Sequence, residues 1–577
     1  MSVGKLADSF KAYTYDQDKA LSPEDTYQRF QERLATVDLN ILEGVRRIDR
    51  GRLGIPVFFS ICGADAQRVI GTYKHMGKGG TPAQARASAV MELAERFSFF
   101  SFVKAGQAEK QTCAELIAAG APVLPFEAIA RSVNDEDAEP MRPVFNQVPM
   151  RWVPARSLTS GREVLLPLDW FYAINEFNGS SAGNTLEEAV SQGLCEVVER
   201  HVSALVARGR LSTPAIDPAT ATSPAARDLL ARFAACGISL HLRDFSLDTG
   251  IPTVAAIAHD PATFPHRSEI VFTAGTTPNP EKALIRCLTE VAQLAGDFDT
   301  TSRYVASGLP KFTSLDDASW VLNSPGAPRA LDSLPDLADP NIRVEVERCV
   351  AALEKRRFEV FAIDITHPQL GIPAAYLVVP GMHFRERAMG SVGMFAVKLV
   401  AQAEPDEALA HLTSIDRAHP GLYYVAFFRG QALRVLERQD EALAEFRRAL
   451  GLGPKSEDVE SVLTYAGLCH RDLGRHGEAL RLFQQALALS ESAEIHNQIG
   501  FCHFKLRRHE ESIAHFRRAI DLDPAQAINH ANIGSNLREM GKTEEAIAHY
   551  ELALAMDPTL DFARASLERL KATGGDS

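Results

Sequence analysis

Two hydrophobic rhythms divide the chain. Over residues 1–385, short apolar, β-branched runs alternate with amphipathic segments, which predicts an α+β region of mixed strands and helices. Three runs open on the same tripeptide: Gly54-Ile55-Pro56, Gly250-Ile251-Pro252 and Gly371-Ile372-Pro373. Asp49, Asp244 and Asp364 stand five to seven residues before them, so each reads as a strand–turn–strand corner. From about Gly390 the strand-like runs stop and a helical period takes over, giving a second region over 389–577.

That second region repeats. Gly430, Gly467, Gly500 and Gly534 are spaced 37, 33 and 34 residues apart. Twelve residues after each comes a small residue (Ala442, Ala479, Ser512, Ala546), four later an aromatic (Phe446, Phe483, Phe516, Tyr550), and three later an alanine. Pro454, Pro524 and Pro558 close three units, and Ala396, Ala408, Leu412 and Pro420 fit one weaker copy upstream. The pattern resembles the tetratricopeptide repeat, a stacked helix-turn-helix in which small residues let helices approach and an aromatic fills the gap beside them. Leu560 to Ala572 reads as a capping helix. Such an array presents a concave groove to a peptide or another subunit, or joins two copies as a homodimer.

Three helices of the first region carry candidate chemistry. Thr81-Pro82-Ala83-Gln84 and Thr185-Leu186-Glu187-Glu188 fit a capping box. Asn279-Pro280-Glu281 supplies an N-cap, a proline at the first helical position and an acid in the first turn. At about 100° per residue, Ser88, Glu92, Glu95 and Arg96 share one stripe, with Val90, Leu93, Ala94 and Phe97 opposite. The second helix repeats this with Gln192, Glu196, Glu199 and Arg200 against Val190, Leu194, Val197 and Val198. In the third, Arg286, Glu290 and Gln293 stand at i, i+4 and i+7.

A charged helix face is ordinarily just solvated. Here Glu-x-x-Glu-Arg occurs only twice in the chain, each time with a polar residue four before the first glutamate, and neither stripe holds a lysine. Four desolvated glutamates on two facing helices repel unless cations sit among them. Oxygen-only ligands favour magnesium, and the Glu-x-x-His of di-iron bundles is missing. His201 falls on the apolar side and reads as a core histidine.

Composition narrows the classes further. With 61 Lys+Arg against 74 Asp+Glu the formal charge is −13, which gives no electrostatic case for nucleic acid or an anionic membrane. No apolar run approaches a membrane span, and no signal-peptide pattern opens the chain. The eight cysteines lie far apart without metal-ligand spacing, as expected of reduced, buried thiols in a cytoplasmic protein. Paired magnesium implies a polyphosphate, yet neither G-x-x-x-x-G-K-[ST] nor G-x-G-x-x-G after a strand is present. Gly77-Lys78-Gly79-Gly80 and Asn178-Gly179-Ser180-Ser181-Ala182-Gly183 run into the capped helices and read as loops whose N–H groups face phosphate.

Taken together, Ser88-x3-Glu92-x2-Glu95-Arg96, Asn184-Thr185-x2-Glu188-x3-Gln192-x3-Glu196-x2-Glu199-Arg200 and Arg286-x3-Glu290-x2-Gln293 resemble the three ATP-binding motifs of the YcaO family. The resemblance covers roughly residues 10–385, and Lys19 to Thr26 is similar to the segment that brings a lysine and a hydroxyl to the nucleotide. It implies ATP and Mg2+ as cofactors. Glu92, Glu95, Glu196, Glu199 and Glu290 become catalytic metal ligands, and Lys19, Thr26, Ser88, Arg96, Ser181, Asn184, Gln192, Arg200 and Arg286 become nucleotide contacts. The implied activity is ATP-dependent O-phosphorylation of a backbone amide in a peptide or protein, with ATP going to ADP and phosphate. No Ser-His-Asp or Cys-His arrangement is evident, and this activity requires none. The helical-repeat extension, and an end at Lys571–Ser577 without proline enrichment, are similar to members connected with thioamidation or methylthiolation, and imply a sulfur-delivery partner protein. The alternatives are an azoline-forming cyclodehydratase, another ATP-using ligase or kinase, and an inactive tetratricopeptide adaptor.

Overall fold

The computed structural model describes residues 3–573 except 50–51, 105–108, 134–137, 266–267, 296–297, 299–311, 313, 383–390 and 524–525. The expected join at 385–389 and Pro524 lie outside the described residues. By internal contacts the chain forms two compact units, Met1–Val392 and Gly393–Ser577.

The first unit holds three sheets, and their named strands pair antiparallel throughout. Strands β1 (Leu42–Arg47), β2 (Val57–Cys62) and β3 (Lys74–Lys78) form one. A five-stranded sheet runs β5-β4-β10-β11-β6, from β4 (Trp152–Ser157), β5 (Glu163–Pro167), β6 (Ser180–Ala182), β10 (Phe361–Asp364) and β11 (Ala374–Val378). The third is β7 (Ser239–Asp244), β8 (Thr253–His259) and β9 (Val271–Thr276). Each Gly-Ile-Pro corner leads into β2, β8 or β11, and all three glycines have positive φ (63°, 76° and 62°), a conformation that costs a side-chain-bearing residue more. The aspartates serve these corners: Asp49 accepts the Val57 N–H, Asp244 that of Ser246, and Asp364 that of Thr366.

Four helices position the site: α1 (Pro23–Ala35), α2 (Pro82–Lys104), α3 (Leu186–Gly209) and α4 (Pro280–Ala295). The N-caps form as expected: Thr81 accepts the Gln84 N–H, Thr185 that of Glu188 and Asn279 that of Lys282. Strand β8 is buried along its whole length. Its Ala255 and Ile257 join Val190, Leu194, Val198 and Val202 of α3 in one core. Val254, Ala256 and Ala258 join Leu284 and Leu288 of α4 in another. The period of two survives, but both faces are apolar because helices cover both.

The second unit is helical. Each repeat glycine meets the aromatic sixteen residues on: Gly430 with Phe446, Gly467 with Phe483, Gly500 with Phe516 and Gly534 with Tyr550. The upstream copy is the pair Val392–Val400 and Pro405–Ala418, and the last helix runs Asp561–Thr573. Among the described residues no helix is long and apolar enough to cross a membrane.

Candidate functional site

The carboxylate stripes of α2 and α3 are not solvated faces. Glu95, Glu196 and Glu199 are buried, at 5%, 9% and 4% exposure, and Glu92 is half-buried. This rejects the ordinary amphipathic reading: the helices are covered on their polar sides too.

What covers them is largely cationic. Arg96 binds Glu92 at 2.7 Å and Glu95 at 2.8 Å and stacks on Phe177, its guanidinium 3.9 Å from the ring centre. Arg200 lies 3.4 Å from Glu196, which also accepts the Gly179 N–H. Arg286 binds Glu199 at 3.0 Å, and Glu290 is in contact with Lys78. Three arginines and Lys78 thus stand among the five carboxylates and relieve part of the repulsion expected between facing glutamates. Lysine is missing from the stripes because it arrives from β3. Among the described residues no group of three or more His, Cys, Asp or Glu side chains forms a ready-made metal site.

Charges tune one another here. Burial works to raise Glu92, but Arg96 holds it below its ordinary value. Glu95 is pushed well up by burial, with Glu92 and Glu196 adding to it. Glu199, equally buried, is held down by Arg286 and Arg200. Lys78 falls to about 7, driven by burial and then by Arg286.

A second set of linked side chains comes from the N-terminal segment. Lys19 Nζ donates to Gln192 Oε1 at 2.8 Å and lies 3.4 Å from Glu188. Glu188 also accepts the Ala20 N–H at 3.0 Å. Asn184 Nδ2 donates to Thr26 Oγ1 at 3.0 Å and to Glu188 at 3.3 Å. The segment preceding and opening α1 is thus tied to the first two turns of α3, about 160 residues away along the chain.

Both sets border one cleft, open to solvent, of about 590 Å³. Its lining includes Lys19, Thr26, Ser88, Glu92, Glu95, Asn184, Gln192 and Arg286 from the expected residues. Arg96, Ser181, Glu196, Glu199, Arg200 and Glu290 are not in the lining; ion pairs join Arg96, Glu199 and Glu290 to residues that are, and Glu196 and Arg200 pair with each other. Ser181 Oγ is buried and has no hydrogen-bond partner among the described residues. A second, more apolar cavity shares Gln17, Lys19, Glu188, Gln192 and Arg286 and adds Cys195, Pro278 and Ile342.

Four polar lining residues escaped the sequence-derived site: Gln17, Lys78, Gln84 and Glu188. Glu188 stood within the motif but was absorbed by its capping role. Lys78 sat in a glycine-rich piece read only for its backbone. Gln17 carries no sequence signal. The two glycine-rich pieces are strand ends as much as loops, since β3 ends at Lys78 and β6 is Ser180–Ala182. His201 is buried and packs edge-on against Phe358. All eight cysteines are free, seven of them buried.

Comparison with known proteins gives a family and a fold. The family model of YcaO cyclodehydratase, described as ATP- and Mg2+-binding, matches residues 76–383. Three tetratricopeptide models match 394–457, 461–494 and 491–559. An uncharacterized protein of Methanothermobacter thermautotrophicus is 29% identical over 393 residues, 63% of this chain and 94% of its own length. The ribosomal protein S12 methylthiotransferase accessory factor YcaO of Escherichia coli is 28% identical over 244 residues, 40% of each chain. A heterocyclase solved in complex with substrate and cofactor shares the fold at a TM-score of 0.54 and 24% identity, over 67% of this chain and 55% of that one. YcaO of Methanopyrus kandleri, bound with AMPPCP and Mg2+, does so at 0.50 and 23%, over 65% and 94%.

Proposed function

Since the chain belongs to the YcaO family, with a tetratricopeptide array behind the catalytic unit, we propose that this ATP-dependent enzyme activates a backbone amide of a peptide or protein substrate. Its cofactors are ATP and Mg2+. Bound Mg-ATP supplies the phosphoryl group that an amide oxyanion takes up after a nucleophile adds to the carbonyl, so that oxygen leaves as phosphate and ADP remains.

One observation carries the reading. Side chains from three helices and the N-terminal segment converge on a single cleft, bordered by buried carboxylates at one group of linked residues and by Lys19, Thr26, Asn184, Glu188 and Gln192 at the other. The donors fit the cofactors. Every carboxylate offers oxygen alone, as Mg2+ prefers. Glu92, Glu95, Glu196, Glu199 and Glu290 would hold the metal ions. Arg96 and Arg286 pair with Glu92, Glu95 and Glu199, while Arg200, its side chain 39% exposed, lies beside Glu196. Lys19, Thr26, Ser88, Asn184 and Gln192 would orient the nucleoside and its phosphates. Fixed charges in a buried cleft stabilise developing phosphoryl charge without reorganising.

The nucleophile in this reading is sulfide delivered by a partner protein, giving a thioamide or serving a related methylthiolation step. The name of the Escherichia coli relative, an accessory factor of a methylthiotransferase, supports it. Azoline formation is the second reading, favoured by the heterocyclase neighbour's fold. The array at 394–559 would dock the polypeptide or pair two copies, with the enzyme acting in the cytoplasm. The test is Mg2+-dependent ATP hydrolysis by the purified chain and its stimulation by candidate peptides, followed by product mass. Exchange of oxygen for sulfur supports thioamidation and loss of water supports azolines. A chain that never hydrolyses ATP with any peptide leaves only the adaptor.

A further inference from the structure

Two lysines line the cleft, Lys19 and Lys78. Lys19 is held by Gln192 and Glu188, in the set of side chains linked to the N-terminal segment. Lys78 stands in the other set, in contact with Glu290 and in the electrostatic field of Arg286, Glu199, Arg200 and Glu92. Its side chain is 14% exposed.

The backbone on both sides of Lys78 is closely packed. A Cβ on Gly77 would fall 2.0 Å from the Ala89 nitrogen, and one on Gly79 would fall 2.6 Å from Gln84 Cγ. Strand β3 therefore lies directly on the first turns of α2, closer than any residue with a side chain allows. The Gly80 N–H is held by Asp16 Oδ2 at 2.7 Å, and Lys78 pairs with Val57 of β2. Successive residues of a strand face opposite ways. With Gly77 and Gly79 pressed on α2, the residue between them is delivered to the opposite side, where α4 presents Glu290. The Gly-Lys-Gly-Gly sequence is thus explained as a device for placing one ammonium.

We propose that Lys78 is a catalytic residue whose ammonium contacts the terminal phosphoryl group of the nucleotide, with Glu290 aiming it; this rests on the Mg-ATP reading of the cleft. The carboxylates able to hold metal ions belong to Lys78's set, so the terminal phosphates belong there too, and the nucleoside is left to Lys19, Thr26 and Asn184. Although burial alone disfavours the charge, Glu290 and a phosphoryl anion on either side hold Lys78 as an ammonium, a compact charge with three donors. One is used by Glu290, and two remain for phosphoryl oxygens. Lys78 forms and breaks no covalent bond in this role.

Isothermal titration with Mg2+ and either AMPPCP or ADP tests it. Lys78→Met should lose at least tenfold in affinity for AMPPCP and less than twofold for ADP, because only the first carries the terminal group. Equal losses for the two would make Lys78 a counter-ion of Glu290 and overturn the proposal, as would no loss at all. If Lys78→Met does not fold, Lys78→Arg keeps the charge but moves it outward, and should narrow the preference for AMPPCP over ADP several-fold. An unchanged preference overturns the proposal. A wild-type chain that binds neither nucleotide overturns the Mg-ATP reading along with it, whereas wild-type binding with an indifferent Lys78→Met overturns the lysine's role alone.

Discussion

Arg286 donates its Nε–H to Glu199 Oε2 at 3.0 Å, across 87 positions of sequence. Spacing alone would pair Arg286 with Glu290 at i, i+4 on the same helix; instead it crosses to α3. The same carboxylate oxygen accepts the Thr276 N–H at 3.0 Å, so Glu199 joins α3, α4 and the end of β9. Arg286 also lines the cleft, which leaves part of its planar guanidinium for phosphate. Arg286→Lys keeps the charge and loses the fork. It should weaken AMPPCP binding at least about tenfold, roughly 1.4 kcal/mol, with the unfolding temperature little changed. Unchanged affinity with a lowered melting temperature would show that Arg286 only fastens helices.

Glu92 and Glu199 are both held ionised by arginines despite burial. Glutamine at either position keeps shape and hydrogen-bond capacity but removes the charge. Glu92→Gln and Glu199→Gln should each cut Mg2+-dependent ATP hydrolysis to about a hundredth or less, the scale of losing one fixed electrostatic group in an active site. Circular dichroism should stay that of the wild type. Normal turnover in either variant sinks the metal-ligand assignment.

Much of this was legible because helix periodicity puts residues at i, i+3 and i+4 on one face whatever the tertiary context. Ser88, Glu92 and Glu95 could be grouped from sequence alone, and so could the glycine–aromatic pairs of the array. Whether a charged stripe is solvated or buried is a tertiary fact, however, and Glu95 and Arg96 look the same in either case. Partners from distant segments were equally hidden. Nothing local to Glu290 announces Lys78, and nothing near Glu188 announces that it accepts the Ala20 N–H. The glycines flanking Lys78 were visible, but their purpose is close approach to α2, which only the packing reveals.

The array carries its own pH dependence. His496, His515 and His503 form a column, with ring centres 5.1 Å and 5.6 Å apart, and His496 Nδ1 lies 2.9 Å from His515 Nδ1. Burial, then His496 and His503, push His515 down to about 4. A histidine with a depressed folded-state value binds its proton more readily when unfolded, so stability is whole above about 6.5 and is lost as pH falls toward 4. His503 and His549 shift the same way. Hydrogen exchange over 509–522 in the full chain should quicken, relative to its intrinsic rate, between pH 7.5 and pH 5. His515→Gln should flatten that change, and an equal change in the variant would exclude the column as its cause.

The tightest contacts in the array predict both an order of damage and its containment. A Cβ at Gly430 would lie 2.6 Å from the Phe446 ring and one at Gly467 would lie 2.7 Å from Phe483, against 3.0 Å at Gly500 and 3.1 Å at Gly534. Each ring is essentially fully buried and cannot swing aside without opening the helix pair. Overpacking of this kind costs about 1–3 kcal/mol. Gly430→Ala and Gly467→Ala should therefore lower the melting temperature of the array more than Gly500→Ala or Gly534→Ala. Yet every proposed nucleotide and metal residue lies within Met1–Val392, the other compact unit. AMPPCP affinity should therefore match the wild type in all four variants, and also in a chain ending at Val392 if it stays in solution. Calorimetry and titration on the same preparations decide the matter. A destabilised array with intact nucleotide binding separates the units, whereas loss of binding in Gly467→Ala would show that the repeats help to build the site.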